Sequence, residues 1–251
     1  MIKIAGHVSH AFFGLWFLIV FSVCAFFCLL AALLVPGLAR RQAIVSALTQ
    51  VIFKLTGTGP DIDGLSLLPD GPCVIVANHA SYLDGIVMTA VLPPRFSFLI
   101  KAEMNNIPLA GFVLRRIDSF FVDRSHSAKS ATSARQIIRA AKAGRALGVF
   151  PEGTFTDEPG LRRFQKGAFA VARAGRMPIV PVVIEGTRHI LPASSWWPRY
   201  GRITVTLLPA IDAEQVKSTD MEALRDNVRE TIAEQLAEPD LLQSDDHASI
   251  D

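Results

Sequence analysis

Apolar positions change period along the chain, and the changes mark out its elements. From Ala11 to Val35, AFFGLWFLIVFSVCAFFCLLAALLV runs for 25 residues without a charge. At about 1.5 Å per helical residue, such a run crosses a hydrocarbon core of about 30 Å. A secretory signal has a shorter apolar region, about 7 to 15 residues ending in a small-residue cleavage site, so a retained membrane helix is the better reading. After the break PGLARRQ, the stretch AIVSALTQVIFKL places Ile44, Val45, Leu48, Val51, Ile52 and Leu55 at spacings of three and four. That pattern predicts a second, amphipathic helix. The two helices either span a bilayer or lie in it as a hairpin. GTGPDIDG (57–64) reads as linker and turn, because its glycines lack the G-x-G-x-x-G spacing of a dinucleotide site.

Beyond residue 64 short apolar runs alternate with helical patterns. Buried strands are predicted at 73–77, 96–100, 119–122, 146–150, 179–184 and 203–208. Helices are predicted after Ser81, in IPLAGFVLRR, on the stripe Ala131, Ala134, Ile138 and Ala141, and in GAFAVARAG. This alternation predicts an α/β fold with a mixed, largely parallel sheet flanked by helices, preceded by the N-terminal membrane helices. Thr219-x-x-Glu222 reads as the capping box of a last helix that presents Met221, Leu224, Val228 and Ile232. Past Pro239 the acidic tail is expected to be disordered. The expected organisation is therefore membrane-anchoring helices at 1–57, an α/β domain at 58–238 and a tail at 239–251.

Composition sharpens this picture in two ways. Half of the residues are hydrophobic and the net charge is only +2, which gives no electrostatic case for a nucleic-acid partner. Arg40, Arg41 and Lys54 follow the apolar run, and the positive-inside tendency would place everything after it on the cytoplasmic face, against the single vote of Lys3 on the other flank. Cys24, Cys28 and Cys73 have neither metal nor disulfide spacing.

The chemistry gathers where strands end. VANHASYLDG (76–85) delivers Asn78 and His79 from the end of a strand, the usual meeting place of ligands in an α/β sheet. On one ideal helix His79 and Asp84 would point about 140° apart. With His79 in the loop and Asp84 in the first helical turn, the carboxylate can fold back to the imidazole and fix its tautomer. The same residues also fit a helix start, with Ser81 as N-cap and Asp84 at the third helical position. Both readings stand on this window alone. In a second window, GVFPEGTFTDEPGLRRFQKG, Glu152 sits between Pro151 and Gly153 at another strand end, with Thr154 following. This is either a polar turn or a ligand-facing one.

Together these windows resemble the glycerolipid acyltransferases typified by 1-acylglycerol-3-phosphate (lysophosphatidate) acyltransferase. Asn78, His79 and Asp84 match the family's N-H-x-x-x-x-D, and Phe150 to Thr154 match its F-P-E-G-T. KAEMNNIPLAGFVLRRIDSFFVDR, with Lys101, Pro108, Gly111 and Arg124, matches the second motif, and IVPVVIEGTRHILP the proline-centred fourth. The resemblance implies acyl transfer from acyl-CoA or acyl-carrier protein to the free hydroxyl of a lysophospholipid, without metal or other cofactor. His79 would be the general base and Asp84 its partner; Asn78, Glu152, Gly153, Thr154, Lys101 and Arg124 would serve substrate binding, with Arg115 and Arg116 as further cationic candidates. Two departures bear on the acceptor and the second motif. Phe155 stands where the family commonly has an acceptor-binding Arg, leaving Arg162, Arg163 or Lys166 to substitute, or pointing to another lysophospholipid or a lyso-aminolipid. Asp118 stands where glycine is common, which is expected to alter the loop before Arg124.

Overall fold

The computed structural model describes residues 2–122 and 127–242. One sheet of seven strands runs β1-β7-β6-β2-β5-β3-β4. In chain order the strands are β1 Asp61–Asp63, β2 Val74–Ala77, β3 Phe96–Lys101, β4 Phe120–Val122, β5 Ala146–Val149, β6 Ile179–Glu185 and β7 Thr204–Leu207. Every neighbouring pair is parallel except β6 and β7. The central strands are apolar at nearly every position, as strands covered on both faces must be, and all four residues of β2 are buried.

Two helical layers cover the sheet. On one face lie α1 Ile2–Leu34, α2 Leu38–Thr56 and α3 Leu83–Val91; there Phe17, Val20, Ile52 and Phe53 join the core built on Ile75 and Val182. The other face packs Ile137, Phe169, Val216 and Val228 against Val74, Leu147 and Ile179. These side chains come from α5 Ser127–Lys142, α6 Gly167–Gly175, α8 Ala213–Ser218 and α9 Met221–Ala233. Two shorter connections, α4 Pro108–Arg116 and α7 Thr187–Ile190, complete the fold.

Among the described residues α1 is the one helix long and apolar enough to cross a membrane, over His10–Leu34. It is apolar all round, yet only one stripe meets protein: Gly14, Phe17, Val20, Cys24, Ala31 and Ala32 are buried, while Phe12, Leu15, Ile19, Val23 and Phe26 remain exposed. The turn into α2 is tied down by arginines that bond carbonyls freed at helix ends. Arg116 Nε donates to Ala32 O at 2.8 Å, and Arg41 donates to Arg116 O at 2.7 Å and Val35 O at 3.2 Å. Arg41 and Arg116 therefore hold the turn between α1 and α2.

Several sequence expectations are corrected. The buried face of α2 takes only part of its apolar stripe: Val45 and Ile52 are buried but Val51 and Leu55 are exposed, and Ser46, Thr49 and Thr56 are buried beside them. The two threonine hydroxyls can be buried because Thr49 donates to Ser46 O and Thr56 to Ile52 O within the helix. The supposed linker 57–64 contains β1, a three-residue exposed strand, too short and polar to show a period. The last helix is capped by Asp220, which accepts from Glu222 N and Ala223 N. Thr219 instead closes the unanticipated α8, whose own capping box is Asp212 with Gln215. On α5 the buried positions are Ile137 and Ala141, while Ala131 and Ala134 are exposed. The first tail residues are ordered: Leu161 N donates to Pro239 O at 2.9 Å, and Arg229 pairs with Asp240. Residues 243–251 lie outside the described residues.

Asp118 does not disturb its loop. It adopts the left-handed backbone of a glycine, φ 66°, and its carboxylate pairs with Arg145 at 3.1 Å and accepts from Ser97 Oγ at 3.3 Å. Asp tolerates this conformation better than β-branched residues do. Asp118→Gly is therefore expected to stay within about 1 kcal/mol of wild type, and Asp118→Val to lose about 1–3 kcal/mol, read by thermal unfolding in detergent.

Candidate active site

β2 ends at Ala77, and the chain turns through Asn78 to Ser81 before α3 begins. Asn78 secures this exit. Its Oδ1 accepts from Ile184 N at 2.7 Å and its Nδ2 donates to Ile184 O at 2.8 Å, continuing the β2–β6 pairing with a side chain. Asp84, fully buried in the first turn of α3, then folds back. Its Oδ2 accepts from Ala80 N at 2.7 Å, Ser81 N at 2.8 Å and His79 Nδ1 at 2.8 Å. Ser81 Oγ accepts from Leu83 N, so helix start and His–Asp pair are one structure.

An oxygen already accepting two backbone N–H groups acts as an acceptor toward the ring as well. In the neutral ring Nδ1 therefore carries the proton, which leaves the lone pair on Nε2. Asp84 Oδ1 is buried and has no hydrogen-bond partner among the described residues.

Glu152 ties the second window to the first. Oε1 accepts from His79 N at 2.7 Å and Oε2 from Arg162 N at 3.0 Å. Burial pushes its carboxyl above the ordinary 4.5, opposed by these two N–H bonds. Gly153 takes φ 79°, and its N–H closes the turn on Phe150 O at 3.1 Å. Thr154 is exposed beside it.

The imidazole is walled by rings. Phe150 stacks on it at 4.4 Å and 18°, and Phe155 meets it edge-on at 4.5 Å and 66°. Tyr82 lies against Phe155, and Trp196 stacks on Tyr82. The His79 side chain keeps 18% of its surface open. A ring clamped this way has little freedom to leave Asp84.

Of the residues singled out in the sequence, Asn78, His79, Asp84 and Glu152 come together around the loop after β2. Asn78 and Glu152 were expected to bind substrate; both are buried and bond backbone at each end, so they position the loops around His79. Lys101 stands exposed at the end of β3, 3.3 Å from Glu103, with β5 between its strand and β2. Arg124 lies outside the described residues. Arg115 bonds Asn105. Of the possible substitutes for an arginine at 155, Lys166 pairs with Glu222, and Arg163 is exposed near enough to Asp226 to lower its carboxyl, behind the larger effect of Arg225. Only Arg162 adjoins the motif, donating to Thr156 Oγ1 at 3.3 Å. Arg188 was not singled out, although it holds the turn: it donates to Thr156 O and forks onto Glu238 at 2.8 and 2.9 Å. Tyr82 and Trp196 were also missed; the aromatic pair in SSWWPRY was the available signal.

Fold and site together define an acyltransferase. A family model described as Acyltransferase matches residues 60–185, just over half of the 251-residue chain, and the chain belongs to that family. It is 28% identical over 222 residues to the 1-acyl-sn-glycerol-3-phosphate acyltransferase of Saccharomyces cerevisiae, covering 86% of this chain and 73% of that one. To the Pseudomonas aeruginosa 1-acyl-sn-glycerol-3-phosphate acyltransferase it is 26% identical over 210 residues, covering 82% and 81%. The human 1-acyl-sn-glycerol-3-phosphate acyltransferase beta is 33% identical over 156 residues, 62% of this chain and 56% of the human protein, so the match spans about half of that relative. The crystal structure of the 1-acyl-sn-glycerophosphate (LPA) acyltransferase, PlsC, from Thermotoga maritima shares the fold with a TM-score of 0.77 at 22% identity, covering 91% and 95% of the two chains.

Glu152→Gln sets an NH₂ against one of the two backbone N–H groups. The expected loss is about 1–3 kcal/mol in thermal unfolding. The raised pKa also fixes a sign: the folded state binds the proton more readily, so this group's contribution to stability rises as pH falls from the raised folded value toward 4.5. The Gln variant is expected to lose that component of the pH profile.

Proposed function

We propose that this chain transfers an acyl group from acyl-CoA or acyl-carrier protein to the free hydroxyl of a lysophospholipid, most directly 1-acylglycerol-3-phosphate, giving phosphatidic acid. The observation that carries the reading is the 2.8 Å contact between His79 Nδ1 and Asp84 Oδ2, which supports Nε2 as the base. His79 Nε2 takes the acceptor's hydroxyl proton as its oxygen attacks the thioester carbonyl. The C–O bond forms, the C–S bond breaks, and the proton returns from the imidazolium to the departing thiolate. Asp84 holds the ring throughout and favours its charged form. No acyl-enzyme on a serine or cysteine is needed, and no cofactor beyond the acyl donor. The names of the relatives support the acceptor class.

The exposed apolar face of α1 supports a membrane location, where an amphiphilic acceptor is already concentrated. Arg40 and Lys54 beyond that helix support a catalytic domain on the cytoplasmic face. Phe155 favours a second reading of the acceptor, namely another lysophospholipid or a lyso-aminolipid. Its ring offers a phosphate no hydrogen bond, and the neighbouring Arg188 already serves Glu238 and Thr156.

Purified protein with labelled acyl donors and a panel of lyso-acceptors tests both readings. His79→Ala is expected to lower transfer by about 10²–10⁴-fold; transfer at the wild-type rate would remove His79 as base, and transfer from phospholipid but not thioester would make the protein a transacylase. No transfer to any acceptor would favour a non-catalytic lipid-binding protein. Phe155→Arg is expected to raise preference for 1-acylglycerol-3-phosphate over zwitterionic lyso-acceptors, and an unchanged ratio would deny Phe155 a part in acceptor choice.

A further inference from the structure

The segment between α7 and β7 carries a cluster of exposed groups, of which Trp196 alone is linked through rings to His79. WWPRYGR (196–202) packs three aromatic and two arginine residues into seven positions. Trp196 is 75% exposed, Tyr200 55% and Trp197 43%, and Arg199 and Arg202 are exposed beside them. Single exposed apolar residues are ordinary, but a contiguous aromatic cluster rimmed by cations is not.

The loop is fastened to α1. The Trp197 indole covers Gly14, where any Cβ would overlap it. Tyr200 meets Phe13 edge-on at 5.5 Å and 85°. The exposed rings thus lie against the same turns of α1 that carry the exposed Phe12, Leu15 and Trp16. Trp and Tyr, with apolar bodies and a polar atom, favour the boundary between hydrocarbon and water. Arginines beside them suit anionic headgroups.

We propose that the 196–202 loop is a membrane contact in its own right, seated in the headgroup layer of an anionic bilayer next to α1. Its consequence for the site follows from the ring contacts. Trp196 stacks on Tyr82 at 5.2 Å, Tyr82 meets Phe155 at 4.7 Å, and Phe155 meets His79 at 4.5 Å. Seating Trp196 among headgroups fixes the height of the base relative to the layer in which lysophospholipid hydroxyls lie. The inference rests on the membrane reading of α1.

The test uses the full chain in phosphatidylglycerol-containing vesicles whose acyl chains carry bromine at a shallow or a deep position. Trp196 is read as the difference between wild type and W196F, and Trp16 as the difference between wild type and W16F. Trp196 emission is expected to shift to the blue, to be quenched more by shallow than by deep bromine, and to be shielded from iodide; R199A/R202A is expected to reduce the shallow quenching. Trp196 emission that stays open to iodide while Trp16 is quenched by bromine would overturn the loop contact and leave the α1 reading intact. A blue shift without bromine quenching would overturn it in favour of a second protein copy, and loss of bromine quenching at both positions would overturn both. Acyl transfer to a short-chain, water-soluble lyso-acceptor, assayed on the same preparation, separates this from the reaction. Failed transfer with Trp196 quenching retained removes the reaction and leaves the contact.

Discussion

Everything chemical in this molecule hangs on one oxygen. Asp84 Oδ2 accepts from two backbone N–H groups and from the His79 ring, so a single atom starts α3, shapes the loop after β2 and selects the tautomer of His79. The arrangement uses the helix start twice: its unpaired N–H groups and dipole suit a carboxylate there, and that carboxylate is then fixed for His79. The cap of the helix and the partner of the ring are one carboxylate, and the cap is what makes that partner rigid.

Around this pair, polar residues of the motifs serve mainly to hold backbone. Asn78 extends the β2–β6 pairing by side chain, and Glu152 joins the His79 amide to that of Arg162. Arg188 pins the turn at Thr156. Such residues can be indispensable to activity without touching substrate, since a base displaced by about 1 Å loses much of its advantage. Phe150 and Phe155 hold the remaining freedom of the ring, so Phe155 is a structural neighbour of His79 as well as a departure from the family pattern.

Much of this was visible in the sequence where a residue type allows few alternatives. The core strands showed as apolar runs because both faces are covered, and the His79–Asp84 spacing placed one residue in a loop and the other on a helix. Readings failed where packing overrode pattern. The buried face of α2 carries Ser46, Thr49 and Thr56, invisible to hydrophobic periodicity; the threonine hydroxyls bond within the helix. β1 is three exposed residues that owe their extension to β7. Asp118 broke a glycine pattern yet kept the glycine backbone. Asn78 and Glu152 were found by motif, but their partners lie 106 and 73 residues away, a distance no local spacing encodes.

The central claim is that Asp84 holds His79 with its proton on Nδ1 and its lone pair on Nε2. Nitrogen-15 NMR of the histidine side chains, with the resonance assigned through His79→Ala, reads this directly. The account predicts a neutral imidazole protonated at Nδ1, shifting toward the opposite tautomer or a mixture in Asp84→Asn. A proton on Nε2 in the wild-type protein would contradict it.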